Sequence, residues 1–204
     1  MYTREDILNY HCPRWDEWPD LGLYMDQVTN LLEKNVSIFY EDQSKIVTST
    51  MINNYVKLKI IMPSKNKKYQ REHLAYFYVV FLLKSVLGLP DICDGISFLS
   101  NCHSLENAYN ILCDEIETAF KIAFDDNCKV ETEIKSNNDF EGIEIIRSIS
   151  LAFAYALLTR FYLNAQKGKQ AVIKQNEEKE EHERRESRER KEERDRKEKR
   201  EKDK

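Results

Sequence analysis

The apolar residues of this chain recur mainly at helical spacing. Between Leu74 and Leu83 the run LAYFYVVFLL is apolar almost all round, so a helix over 71–87 is expected to form the central beam, buried on several sides. Gly88 stops it, and Pro90, suited to a first helical position, opens a short helix to about 99. Ser104 caps the next helix, about 105–123, whose stripe runs through Leu105, Tyr109, Leu112, Ile116 and Phe120. Upstream, Asp20 caps a helix over about 21–34 with Leu23/Tyr24, Gln27/Val28 and Leu31/Leu32 on one side. The last periodic segment, about 141–166, carries Ile145, Ile146, Ile149, Phe153 and Leu157. The polar stretch 125–139 reads as a loop, with room for a short strand at 129–134, and the first dozen residues as a polar arm.

The segment 47–74 departs from this all-helical pattern and organises the rest. Thr48 or Ser49 offers an N-cap hydroxyl for a helix to about Leu58. Met51, Ile52, Tyr55 and Val56 fall on one side of that helix, and Thr50, Asn53, Asn54 and Lys57 on the other. The β-branched run after Lys57, the break at Pro63-Ser64-Lys65-Asn66 and the return at Lys67-Lys68-Tyr69 read as a small hairpin, or wing. A helix followed by a basic wing is an arrangement that reads DNA, the helix entering the major groove. Asn pairs in bidentate fashion with adenine, and Lys reaches guanine or phosphate. Any surface helix also turns polar residues outward, so the pattern of this helix alone decides nothing.

Charge changes the balance. From Gln43 to Arg71 there is no acidic residue but there are seven basic ones, Lys45, Lys57, Lys59, Lys65, Lys67, Lys68 and Arg71. Residues 174–204 hold 14 basic and 13 acidic side chains, so the remaining 18 and 23 give residues 1–173 a net charge of −5. One basic region on an otherwise acidic body orients a protein on a polyanion. The expected base contacts are Thr50, Asn53 and Asn54. Lys57, Lys59, Lys65, Lys67, Lys68 and Arg71 are the expected phosphate contacts.

The order of Ile-Asn-Asn-Tyr-Val-Lys, Ile-Ile-Met-Pro, Lys-Lys-Tyr, Arg-Glu-His-Leu, an apolar helix and Gly-Leu-Pro-Asp-Ile resembles the DNA-reading half of MerR-type regulators. With the segment from Arg14-Trp15 to Val28 before it, the chain is more similar to the YkrK-like family of bacterial proteins of unassigned function. That resemblance covers roughly residues 10–165, with its specific blocks at Tyr24–Val28 and Met51–Leu74. It implies a transcription regulator, a mainly α fold with a MerR-like winged helix–turn–helix and small β wing, a helical C-terminal lobe and a charged tail. The chain departs from MerR itself in having no C-terminal metal-binding cysteine loop.

Other chemistry is sparse. The five glycines are not grouped into a phosphate loop, and neither Gly-x-Ser-x-Gly nor His-Glu-x-x-His occurs, so an enzyme is not expected and no cofactor is implied. Cys93 with Cys102-His103 offers three metal ligands at a spacing that fits no zinc pattern, and no metal is expected. His73 reads as structural. The two tryptophans, Trp15 and Trp18, are expected to pack rather than to stack on bases. Five widely spaced cysteines and a charged N-terminus without an apolar signal core point to the cytoplasm. The uncharged run before Arg160 is 12 residues, short of the roughly 20 a membrane span needs.

The expected organisation is an arm over 1–19, a DNA-binding region over 20–100, a helical lobe over 101–168 and a charged tail over 169–204, a solvated helix or disordered. The expected partner is double-stranded DNA, and any small-molecule effector is not legible. The apolar excess of 141–166, with Phe153 and Leu157, serves either a homodimer interface or the monomer's own core. The alternative to sequence-specific DNA binding is a protein-interaction adaptor that keeps the fold without the DNA contact.

Overall fold

The computed structural model describes residues 2–40, 46–125 and 140–202, with side chains through 187. The described residues form α1 (Arg4–Leu8), α2 (Met25–Val36), α3 (Ser49–Lys57), α4 (Arg71–Leu83), α5 (Leu89–Cys102), α6 (Leu105–Phe124) and α7 (Ile143–Lys202), with 3₁₀ turns at Trp15–Glu17 and Ser37–Phe39. The chain divides into two compact units, Met1–Leu158 and Thr159–Lys204.

In the first unit α4 is the beam its composition demands. Every side chain from His73 to Leu83 is buried except Tyr76. α2 and α5 pack on α4, and α6 packs on α1 and α5. A ring cluster joins distant parts of the chain: Phe39 lies 5.3 Å from Phe153 and 5.8 Å from Phe120, and Tyr10 lies edge-on to Phe39 at 4.6 Å. Phe153 and Leu157, the residues nominated for a dimer interface, are therefore part of the first unit's own core.

Side-chain caps mark three of the helix starts. The Thr48 hydroxyl accepts from the Met51 amide and Ser104 from that of Asn107. The supposed polar arm folds instead: Thr3 and Asp6 form a capping box on α1, Ile7 is buried, and the Tyr2 hydroxyl donates to the Leu157 carbonyl at 2.8 Å. α2 begins at Met25 rather than near 21, because both backbone groups of Leu23 are bonded to Tyr69 and cannot enter a helix. The expected strand at 129–134, like Lys45 and Cys128, lies outside the described residues.

The β wing is not there. Among the described residues there is no strand, only isolated bridges between Leu23 and Tyr69 and between Lys65 and Lys68. Two local facts explain this. The end of α3 is a Schellman motif: Ile60 N–H donates to the Tyr55 carbonyl and Lys59 N–H to that of Val56, with Lys59 left-handed at φ 58°. The residues read as the first wing strand are thus spent in closing a helix. Beyond Lys65–Lys68 the second limb turns away, and Tyr69 pairs with Leu23 through two 2.8 Å bonds. The fold is mainly α, without the winged element of the MerR type.

The second unit is the rest of α7, helical through Lys202. Its side chains are exposed from Ala165 to Ser187, where Arg184 and Arg185 meet Glu180 and Glu181 one turn back, at 3.6 and 2.6 Å. Within Ile143–Ser187 of α7 one 18-residue window is apolar enough to cross a membrane by length and composition, but Phe153, Ala154 and Leu157 of this helix are buried in the first unit's core.

Candidate nucleic-acid interface

α3 is amphipathic in the way its sequence dictates. Ile52 and Tyr55 are buried, with the Tyr55 ring 5.8 Å from Phe81 of α4, and burial pushes the Tyr55 hydroxyl pKa up. Thr50, Asn53, Asn54 and Lys57, at i, i+3, i+4 and i+7, are all exposed and share the opposite face. Lys57 in the last turn also complements the negative end of the helix.

The loop from α3 to α4 is held at several points. Lys65 and Lys68 exchange backbone bonds of 3.1 and 2.9 Å around Asn66 and Lys67, both left-handed at φ 52° and 61°. Positive φ at both central residues marks a type I′ turn, whose favoured sequence is Asn-Gly. Lys67→Gly is therefore expected to stabilise the fold by about 0.5–1 kcal/mol, since a non-glycine residue is strained there. Urea unfolding of the two proteins measures this, and a loss of stability would show that the Lys67 side chain supports the turn.

His73 fastens the loop from the other side. Its Nδ1 accepts the Gln70 N–H at 3.0 Å, so Nε2 carries the proton and donates to the Pro63 carbonyl at 3.3 Å. The ring is buried, and its role is structural.

The nominated contacts divide by position. Lys57, Lys59, Lys65 and Lys67 are exposed, and Lys65, Asn66 and Lys67 form the tip of the turn. Lys68 is half-buried with its ammonium 5.2 Å from the centre of the Tyr24 ring. Arg71 is turned inward: its Nε donates to the Trp18 carbonyl at 3.1 Å, and its guanidinium meets Asp16 at 3.4 Å and Asp20 at 3.7 Å. Trp18 is buried with its indole N–H donating to Tyr109, and Trp15 lies edge-on to the same ring, so both tryptophans are packing residues. Among the described residues no group of three or more His, Cys, Asp or Glu side chains is placed to hold a metal ion.

Sequence reasoning missed the ties that fix this surface, namely the Leu23–Tyr69 bridge, the Tyr24–Lys68 contact and the anchoring of Arg71. A hint was available at Gly22, beside Leu23. A Cβ there would stand 3.0 Å from Lys68 Cβ, a close approach that favours glycine.

Residues 13–121, which include α2 to α5 and most of α6, match the family described as a domain of unknown function, DUF1836, and the chain belongs to that family. No curated protein and no solved structure matches the chain. The family brings no activity with it, so a functional reading has to come from the surface itself.

Proposed function

We propose that this protein binds double-stranded DNA in a sequence-specific manner and acts as a cytoplasmic transcriptional regulator of the YkrK-like kind. The supporting observation is the exposed face Thr50–Asn53–Asn54–Lys57, followed along the chain by exposed Lys59, Lys65 and Lys67, in a stretch free of acidic residues. Amides and a hydroxyl on one helix face suit base edges, and lysines at its end and on a rigid turn suit the flanking phosphates. Arg71 and Lys68 take supporting roles, because both already have partners within the chain.

Fluorescence anisotropy on genomic fragments at two salt concentrations tests this. Asn53→Ala is expected to cost about 1–3 kcal/mol at the preferred site and to relax sequence preference. Replacing Lys65 by Ala together with Lys67 by Gly, which keeps the turn, weakens all DNA alike and flattens the log–log salt slope by about 1.8. Absence of affinity near 50 mM salt, where such contacts are strong, defeats the reading.

One observation favours a protein partner instead. Leu58 is 64% exposed and Met62 is 44% exposed, both beside the lysines. An adaptor using that apolar pair takes the lead if DNA binding fails.

A further inference from the structure

Helices α4, α5, α6 and the start of α7 line a half-open apolar hollow of about 90 Å³ whose wall includes Val79, Leu83, Ile92, Leu112 and Ile149. A hollow lined by apolar side chains accepts apolar guests, whose burial there removes apolar surface from water. Part of the emptiness is set by one residue. Gly95 lines the cavity from the middle of α5, on the same face as Ile92, Ile96 and Leu99, and nothing stands within 4 Å of where its Cβ would be. Glycine in a helix interior costs stability relative to any ordinary side chain, so the space is maintained against the helix's own preference.

A second hollow, of about 350 Å³, abuts the first, with Tyr76, Ile96 and Ser100 in both walls. Its character is different. Lys59, Ser97, Ser100, Asn101 and Tyr76 bring one ammonium, three hydroxyls and an amide, and no carboxylate stands in that wall. Lys59 is the left-handed residue that closes α3, so its backbone is fixed. The acid of the apolar cavity, Asp91, sits in the first turn of α5, nine residues from Ser100 and so about 13 Å away along the helix.

We propose that the two spaces form one binding site for a short aliphatic carboxylate. The chain occupies the apolar cavity past Gly95, and the carboxylate lies toward Lys59 and the hydroxyls of Ser97 and Ser100. Charge complementarity sets the direction, because the opposite orientation brings the anion to Asp91. Volume sets the class of chain: a cavity that admits benzene is about 150 Å³, so this one takes a few carbons in line rather than a ring. The inference is independent of the DNA reading, and no arm of its test uses nucleic acid.

Isothermal titration of the full chain with straight-chain carboxylates from acetate to octanoate, beside hexanol and hexylamine, tests it. Affinity is expected to rise about fourfold per added methylene, equivalent to the ~0.8 kcal/mol of burying one CH₂, until the cavity is full, and then to level off. Hexylamine, whose ammonium is repelled by Lys59, is expected to bind more weakly than hexanoate. Gly95→Leu fills the cavity from the helix wall, so it should raise the thermal midpoint and remove the chain-length dependence. Lys59→Gly preserves the left-handed turn and should weaken hexanoate at least tenfold while leaving hexanol unchanged. The proposal is overturned if no carboxylate binds the unmodified protein, or if hexylamine binds as well as hexanoate. Undiminished hexanoate binding by a folded Gly95→Leu protein overturns it as well. Should Gly95→Leu not fold, the Lys59→Gly comparison decides alone, and equal losses for hexanoate and hexanol count against the site.

Discussion

Phe153→Ala is expected to lower unfolding free energy by about 3–5 kcal/mol, the cost of removing a large ring from a filled core. Phe153 is 1% exposed, and its ring meets Phe39 edge-on at 5.3 Å and Phe120 at 5.9 Å. Its loss opens a cavity where α7, α6 and the 3₁₀ turn after α2 converge, and it breaks two ring contacts worth about 0.5–1.5 kcal/mol each beyond the buried area. Urea titration followed by circular dichroism measures the loss. A cost below about 1 kcal/mol, with an intact fold and a change in oligomeric state, would mean that Phe153 faces another copy rather than the interior.

The second large effect belongs to Glu117. Its carboxylate accepts both arms of the Arg14 guanidinium, at 2.7 and 2.9 Å, and the Cys12 N–H at 2.8 Å. That pair fastens the segment before α2 to the middle of α6, beside the Tyr109 hydroxyl, which accepts from Trp18 and donates to the Pro13 carbonyl, each at 2.7 Å. The side chains of Arg14 and Glu117 are 26% and 21% exposed, so solvent screens them in part. Breaking a fully buried pair costs about 3–5 kcal/mol, and here about 2–3 kcal/mol is expected for Glu117→Ala.

Acidity tests the same pair in a second way. Burial pushes the Glu117 carboxyl up, but the Arg14 hydrogen bonds, the Cys12 amide and the nearby positive charge outweigh it, leaving the pKa below its ordinary value of 4.5. A depressed carboxyl contributes stability that is complete above that ordinary value and is lost as pH falls through the folded one. Thermal midpoints from pH 7 to 3 should therefore fall more steeply for the native chain than for Glu117→Gln, the two converging in acid. Parallel curves would assign the acid sensitivity to other groups.

What the sequence made legible was local. Thr48 and Ser104 announced their helices, because a cap acts within four residues, and the apolar run 74–83 could only be a buried helix. The tail reads as a solvated helix or disordered, and in α7 its Glu180/Arg184 and Glu181/Arg185 pairs stand one helical turn apart. The wing failed because strand-like residues were assigned a partner in the nearest limb. Tyr69 found its partner in Leu23, far back in the chain, and Ile60 found a helix end. Nothing in Lys59, Asn66 or Lys67 as letters marks a positive φ, which asparagine tolerates and lysine rarely adopts. For the candidate site, exposure of the α3 face followed from spacing alone. The inward turn of Arg71 did not, since Trp18 and Asp16 reach it only after the chain has folded. The cavity beside Gly95 belongs to four helices at once, so no single segment could disclose it.

The tie between Leu23 and Tyr69 changes what the lysine-bearing loop can lose. A flexible loop ordered on contact gives up about 1–2 kcal/mol of backbone freedom per residue. Here the two bonds to Leu23, the I′ turn and the His73 link to Pro63 have already fixed that backbone. Any contact made by this loop would have only side-chain rotamers left to immobilise. The same tie gives an uncharged position leverage over the charges: a side chain at Gly22 would press on Lys68 Cβ and on the Gln70 amide, 3.0 and 2.9 Å from its Cβ. Variation at that one glycine would move the Lys68 side chain without changing the charge of the loop, a difference that a comparison of charge among family members cannot register.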